Sequence, residues 1–305
     1  MATFTGPPGS GEARSPQPRA LIVTIYGLYA RETDGWLSVA SLIRLMAELG
    51  ADEPAIRSSI SRLKRRGILD ARRVNGAAGY GLSESGRQTL AEGDRRIFER
   101  PRARPSDGWL LAVFSVPESQ RQQRHALRSR LAWLGFGTVS AGVWIAPGNL
   151  AHETTGVLQR CGLVGYVTLF RAEYLAFGDM ADRVGQWWDL DRLQRMYLDF
   201  RQAHEPLLAR WPDPGSPPAP GSSPGPGESN GAGDGSDGEA FAAYVTALTD
   251  WRRLPYLDPG LPEELLPPQW HGCRAADLFG ALQARLAGPA RRYALTVTGE
   301  QPPVA

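Results

Sequence analysis

Between Glu53 and Gly67 the chain reads EPAIRSSISRLKRRG. Arg57, Ser61 and Arg65 recur at i, i+4, i+8, and Ser58 and Arg62 at i, i+4, so in a helix they share one broad face. A guanidinium is a planar fork of donors that fits a guanine edge or a phosphate, and a serine hydroxyl bonds to either. This is the chemistry of recognising a polyanion, with no bond made or broken. Arg57, Ser58, Ser61 and Arg62 are the candidates for base readout. Arg65 and Arg66 suit phosphates, and Lys64 extends the same positive surface. The pattern also describes a solvated basic surface helix, and the helix alone does not decide between the two.

Residue groups that would support bond-making chemistry are scarce. The chain contains no GxSxG, no HExxH and no phosphate-cradling GxxxxGK. The histidines at 125, 152, 204 and 271 are scattered. His152-Glu153 stands at the expected start of a helix and reads as a solvated cap. Cys161, at the expected end of that helix, reads as a small core residue. Two cysteines without a CxxC exclude a disulfide framework. Gly135-Phe136-Gly137 fits the entrance to a strand better than a dinucleotide loop. The sequence therefore predicts neither catalytic residues nor a metal or cofactor.

The elements around the basic helix strengthen the recognition reading. Asp52 can cap its first turn, Pro54 is harmless there, and Gly67 suits a left-handed C-terminal cap. Ile56, Ile60 and Leu63 form its apolar stripe. Before it, the pattern predicts a helix over 19–31, an extended piece at 35–37, and a second helix over 39–49 capped by Ser38. Ser38 is also placed among the DNA contacts. After it come two short strands, 68–74 and 80–82, around a glycine-rich tip at 75–79, and then a helix over 86–99. Arg72 and Arg73 at the hairpin base suit phosphates, and Asn75 at its tip can reach a groove. Helix, strand, helix, turn, basic helix and hairpin is the order of a winged helix-turn-helix, assigned to 19–100. Charge agrees: residues 1–104 hold 17 Arg and Lys against 11 Asp and Glu, a net of +6, whereas residues 105–305 hold 17 against 21, a net of −4.

The rest of the chain follows a different pattern. Residues 1–18 read as a disordered leader and 101–107 as a linker. A βαββαβ order over 108–175 predicts a ferredoxin-like domain. Helical patterns over 176–211 and 239–296 predict a helical domain, with a proline-punctuated extended stretch at 254–272 and a last helix over 275–287. A Gly/Pro/Ser-rich loop at 212–238 interrupts it, and 297–305 is a tail. The fold class is α+β. No apolar run approaches the ~20 residues that span a bilayer, and the first residues lack the pattern of a secretory signal, so a cytoplasmic location is expected.

Several stretches resemble the PaaX family, the bacterial repressors of phenylacetic acid catabolism genes. They are VASLIRL (39–45), AIRSSISRLKRRGIL (55–69), GYGLS (79–83) and RRIF (95–98), then WLLAVFSVPE (109–118), RLAWLGFG (130–137) and VWIAP (143–147), and finally LDPGLPEELLPPQWHG (257–272). The resemblance spans roughly 19–210 and 239–287. It implies a homodimer on a double-stranded DNA operator, released by an aryl-CoA thioester such as phenylacetyl-CoA, with the helical domain of 176–211 and 239–296 serving effector binding and dimerisation. Such a ligand needs cations for its phosphates and an apolar site for its acyl group. Trp187, Trp188, Tyr197, Trp251, Arg252, Arg253, Trp270 and His271 could supply both, and the same tryptophans also read as core. The chain departs from the family pattern at 212–238. The middle domain is similar to a small CRISPR-associated endoribonuclease, so a metal-dependent nuclease is the competing reading. However, the first strand carries no aspartate, and Asp107 precedes it. An activator or dual regulator of another operon is a third possibility.

Overall fold

The computed structural model describes residues 17–31, 34–99, 102–175, 177–212 and 236–299. The expected leader through residue 16, the loop 213–235 and the tail from 300 lie outside them. Two compact units emerge. The first contains 1–92, 199–251 and 274–305, and the second contains 93–198 and 252–273. The segments 176–211 and 239–296 contribute to both.

The first unit opens with α1 (Pro18–Ile25), continued by a π-helical turn through Ala30. Then come β1 (Trp36–Ser38), α2 (Val39–Glu48), α3 (Glu53–Arg65), β2 (Leu69–Val74), β3 (Ala77–Leu82) and α4 (Glu84–Asp94). α1 packs on both α2 and α3. The contact faces bury Leu21, Ile22 and Ile25 of α1, Leu42, Leu45 and Met46 of α2, and Ile56, Ile60 and Leu63 of α3. The sheet order β1-β3-β2 ties the strand before α2 to the hairpin after α3. The hairpin tip is tighter than the sequence pattern implies. Asn75 and Gly76 take positive φ of 50° and 81°, and Ala77 already pairs with Val74. A two-residue turn with both positions left-handed matches the twist of its strands, which is why Asn-Gly leaves no longer loop. Gly79 therefore lies inside β3. A Cβ there would come within 2.4 Å of both the Leu37 carbonyl oxygen and the Trp36 ring.

The distant helices α10 (Asp237–Trp251) and α12 (His271–Thr298) complete this unit. Thr24 Oγ1 lies 2.7 Å from Thr249 Oγ1 in a buried contact. Trp251 stacks on Phe279 with centroids 4.9 Å apart. Arg44 donates to the Val297 carbonyl at 2.6 Å, placing a cation at the negative end of α12. α12 is longer than the 275–287 expected, because it runs through Gly288-Pro289 to Thr298. Proline removes one helical donor, yet Leu282, Leu286, Ala290, Ala294 and Val297 keep one buried stripe across it. Packing overrides the local stop signal.

The second unit holds β4 (Trp109–Phe114), α5 (Arg121–Trp133), β5 (Gly137–Ser140), β6 (Val143–Pro147), α6 (Ala151–Arg160) and β7 (Val167–Ala172). All strand pairs are antiparallel, in the order β5-β6-β4-β7, the ferredoxin-like arrangement. Leu110, Ala112, Phe114 and Trp144 of the sheet share a core with Leu127 and Leu131 of α5 and with Val157 and Leu158 of α6. After it come α7 (Met180–Trp187), α8 (Leu190–His204) and, back in the first unit, α9 (Leu207–Arg210). The stretch 254–272, expected to be extended, instead folds locally into α11 (Leu254–Leu257), with Pro255 in its first turn, and a 3₁₀ turn at Glu263–Leu265, which follows Pro262; proline presets a φ compatible with a helix start. Residues 102–107, read as a linker, pack against this stretch: Ala103 N–H donates to the Gly260 carbonyl at 2.8 Å.

Candidate nucleic-acid interface

α3 is built as its sequence pattern implies. The Asp52 carboxylate accepts from the Ala55 N–H at 2.7 Å, and Gly67 takes φ 67° just past the helix. With Ile56, Ser59, Ile60 and Leu63 buried, ~100° per residue sets the outward order. Ser58, Ser61 and Arg65 form the exposed crest. Arg57 and Lys64 lie on one flank, and Arg62 and Arg66 on the other. Arg57 is held by Glu53 one turn earlier, with Nε donating at 2.7 Å. Both side chains are well exposed, so this pair is weak and exchangeable for a phosphate. Arg62 and Arg65 are exposed and meet no carboxylate among the described residues.

The hairpin separates the two arginines that the sequence groups together. Strand alternation sends Arg72 and Arg73 to opposite faces. Arg72 lies over Gly81 and pairs with Asp34 at 3.0 Å, whereas Arg73 is exposed. Asn75 stands exposed at the tip. Ser38 caps α2: its hydroxyl accepts from the Ser41 N–H at 2.9 Å and donates to the Ser41 hydroxyl at 2.8 Å, so its one donor and one of its two lone pairs are committed.

One basic residue near this surface escapes the sequence pattern. Arg19, in the first turn of α1, has its pKa lowered by partial burial and then by the charges of Arg66 and Arg62. Nothing in the local sequence marks it, because its neighbours come from a helix some forty residues away.

The residues assigned to an effector site take part in several separate contacts. Trp251 is a core residue of the first unit, and the other seven belong to the second. Trp187 and Trp188 pack with Trp109, and the Trp188 indole donates to the Gly135 carbonyl at 2.9 Å. Gly137 makes this possible, since a Cβ there would lie 2.6 Å from the Trp188 ring. Tyr197 and Trp270 meet edge to face at 5.6 Å, and the Tyr197 hydroxyl donates to Asp258 at 2.7 Å. Arg252 is half-buried near Tyr256, Arg253 is exposed, and the His271 N–H donates to Gln194.

Two of the cavities among the described residues lie in the second unit. One of about 250 Å³ is lined by Trp188, Leu265, Leu266, Asp182, Asp189 and Asp191, which suits no phosphate. The other, about 50 Å³, is lined by Arg95, Arg96 and Arg102 with Glu153 and Asp258. Pockets for drug-sized ligands run to about 300–1,000 Å³, so neither holds a whole acyl-CoA as it stands. All three Arg96 nitrogens are engaged: Nη1 and Nη2 donate to the Trp133 and Leu134 carbonyls, both at 2.8 Å, and Nε pairs with Glu153 at 3.1 Å. Glu153, expected to be a solvated cap, is therefore a partly buried partner of Arg96. Arg102 donates to the Leu261 carbonyl at 3.2 Å and lies 3.7 Å from Asp258. Its Nη2 has no hydrogen-bond partner among the described residues.

Cys161, expected in the core, is exposed: it follows the last turn of α6, and Leu163 takes the inward position. Among the described residues no three His, Cys, Asp or Glu side chains form a group that could hold a metal. None of the helices described is long and apolar enough to cross a membrane.

Comparison with known proteins agrees along the chain. Three family profiles match in sequence order: "PaaX-like protein" over 17–86, "PaaX protein central Cas2-like domain" over 102–184 and "PaaX-like protein C-terminal domain" over 227–296. The chain is 26% identical over 277 residues to the transcriptional repressor PaaX of Escherichia coli (strain K12), covering 90% of this chain and 82% of that protein. A solved structure, the uncharacterized protein Rv0674 from Mycobacterium tuberculosis, shares the fold. Its TM-score is 0.50 at 23% identity, over 90% of this chain and 97% of that one. With three profiles of one family matching in order and a relative aligned over nine-tenths of this chain, the chain belongs to the PaaX family.

Proposed function

We propose that the chain is a homodimeric transcriptional repressor, in which α2, the turn at Gly50 and α3 act as a helix-turn-helix with the β2–β3 hairpin as its wing. The observation that carries this reading is α3 itself: a capped helix, buried along one stripe, whose crest of Ser58, Ser61 and Arg65 is flanked by further cations. A helix of this diameter fits the major groove, and arginine is its commonest reader of guanine. The placement on the helix exchanges two roles suggested by spacing alone. Arg65 on the crest joins Ser58 and Ser61 at the bases, whereas Arg62 on the flank turns to the backbone. Arg73 and Asn75 are the wing contacts. The similarity to the Escherichia coli repressor supports the same function.

Footprinting on the DNA upstream of the protein's own gene, with and without phenylacetyl-CoA, tests the reading. The expected result is a protected inverted repeat, with half-sites a whole number of turns apart, that is lost on adding the thioester. Absence of any protected region at about 100 mM salt would refute it. Mg²⁺-dependent cleavage would favour the nuclease reading instead. Titration of phenylacetyl-CoA into wild type, Arg102→Gln and Arg252→Ala/Arg253→Ala would locate the phosphates. Equal affinities in all three would remove both arginine groups from the effector site.

A further inference from the structure

The helix layer of the second unit runs against the charge of its surroundings. Residues 105–305 are net acidic, yet no Asp or Glu occurs between Glu118 and Glu153. α5 and α6, which pack on one face of the sheet, hold five arginines against one acid, and that acid, Glu153, pairs with Arg96. Four of the arginines lie on α5. At about 100° per residue, Arg121, Arg124, His125 and Arg128 fall in one sector beside the buried stripe of Leu127 and Leu131, and Arg130 falls on the opposite flank. Arg121, His125 and Arg128 are exposed, and neither Arg121 nor Arg128 has an ion-pair partner among the described residues. The helix also holds two of these cations in place. Arg124 donates to Glu118 at 2.7 Å and to the Val116 carbonyl at 2.6 Å, and the Arg128 guanidinium lies 5.8 Å from the Trp144 ring centre.

This arrangement works against the helix that carries it. Arg121 and Arg124 stand among the first four residues of α5, at the positive end of the dipole, and the first turn has no acid. Arg124 and Arg128 are like charges at i, i+4, where a merely solvated face gains from opposite signs. A polyanion laid along the stripe would turn that repulsion into attraction.

We propose that the Arg121–Arg128 stripe of α5 is a second backbone contact, closing on phosphates of the duplex that α3 reads. This rests on the DNA-binding reading above. Seven residues of helix set Arg121 and Arg128 about 10 Å apart along the axis, so each reaches its own phosphate. A duplex held by α3 is tethered to the same chain, so the second contact forms at high effective concentration. It carries no sequence information, because a phosphate is the same beside every base.

The test is fluorescence anisotropy of the full-length chain on two labelled duplexes across about 50–200 mM salt. One is the protected upstream sequence extended by about one helical turn, roughly 10 base pairs, on each side, and the other is a scrambled duplex of equal length. Arg121→Gln should lower the salt slope by about one on both, so its deficit against wild type is about three-fold larger at 50 mM than at 200 mM. Arg121→Gln/Arg128→Gln should lose about two units, a deficit that changes about ten-fold over the same range. Arg121→Lys should keep most of the slope. Arg130→Gln, the same charge change on the opposite flank, should keep all of it. Gln122→Glu places an acid beside the stripe in the first turn, so it should weaken binding to both duplexes yet melt no lower than wild type. Arg128 covers Trp144, and if its variant does not fold, Arg121→Gln and Gln122→Glu decide the question.

Wild-type slope in Arg121→Gln together with wild-type affinity in Gln122→Glu would overturn the second contact while leaving the DNA-binding reading intact. An equal drop in Arg130→Gln would also overturn it, because the effect would then belong to net charge and not to the stripe. So would a changed ranking among operator base variants in Arg121→Gln, as that marks a base contact. Wild type that binds neither duplex sinks both proposals.

Discussion

Arg96 offers a severe test of how the second unit is held together. It is 8% exposed and donates to the last two carbonyls of the α5 region, at Trp133 and Leu134. Its Nε pairs with Glu153 of α6, and its guanidinium lies 5.3 Å from the Trp133 ring centre. One side chain thus closes a helix end, ties α5 to α6 and covers an aromatic ring. Arg96→Met keeps most of the volume and removes every donor. Each charge-assisted bond contributes about 1.5–3 kcal/mol, and Glu153 is left half-buried without its partner. Removing one member of such a pair costs about 3–5 kcal/mol in all. With a urea dependence of about 2 kcal/mol per molar, the unfolding midpoint should fall by roughly 1.5–2.5 M. Tryptophan fluorescence follows it, since Trp133 lies in the affected contact. Glu153→Leu on top of Arg96→Met should recover part of the loss, because the stranded carboxylate is gone. A midpoint shift below about 0.5 M, or a double variant as unstable as the sum of the singles, would refute this account.

Three further outcomes follow from single contacts. Asp52→Ala removes the acceptor for the Ala55 N–H and should cost about 1 kcal/mol by thermal melting, with Asp52→Ser restoring most of it. Pro289→Ala returns a donor to the interior of α12 and should raise stability by about 1–3 kcal/mol, less than the full penalty because proline also restricts the unfolded chain. Burial raises the Tyr244 and Tyr256 hydroxyls to about 12, while in the unfolded chain they ionise near their usual 10. Their contribution is therefore complete below about pH 10 and lost as pH climbs toward 12, and Tyr244→Phe should flatten the alkaline fall in a urea-midpoint profile.

What could be read from the sequence was whatever neighbouring residues decide among themselves. Ser38, Asp52 and Gly67 mark helix ends through contacts within a few residues, and Asn75-Gly76 specifies its own turn. The amphipathic stripe of α3 fixed its exposed face for the same reason. Harder to read was anything set by partners far along the chain. Thr24 meets Thr249, and Arg44 caps a helix whose last turn contains Val297. No local signal announces either pairing. The helix expected over 275–287 falls short of α12 because the apolar stripe that carries α12 past Pro289 is a tertiary fact. The tryptophans and arginines grouped as an effector site share a composition, yet the fold spends Trp251 on Phe279, Tyr197 on Asp258 and Trp188 on Gly135. Arg19 was missed for the converse reason: an ordinary surface arginine by sequence, it acquires its neighbours only when α1 lies on α3.

The order in which the first unit is assembled has a consequence for the protein's birth. Its basic helix is synthesised early, but α10 and α12 come from the last quarter of the chain. A ribosome still translating residue 250 has released the exposed cations of α3 and withheld the helix that gives Trp251 its stacking partner and Arg44 its carbonyl. An unfinished chain therefore carries the capped basic helix without the completed frame around it, so the first unit can close only once translation has passed α12.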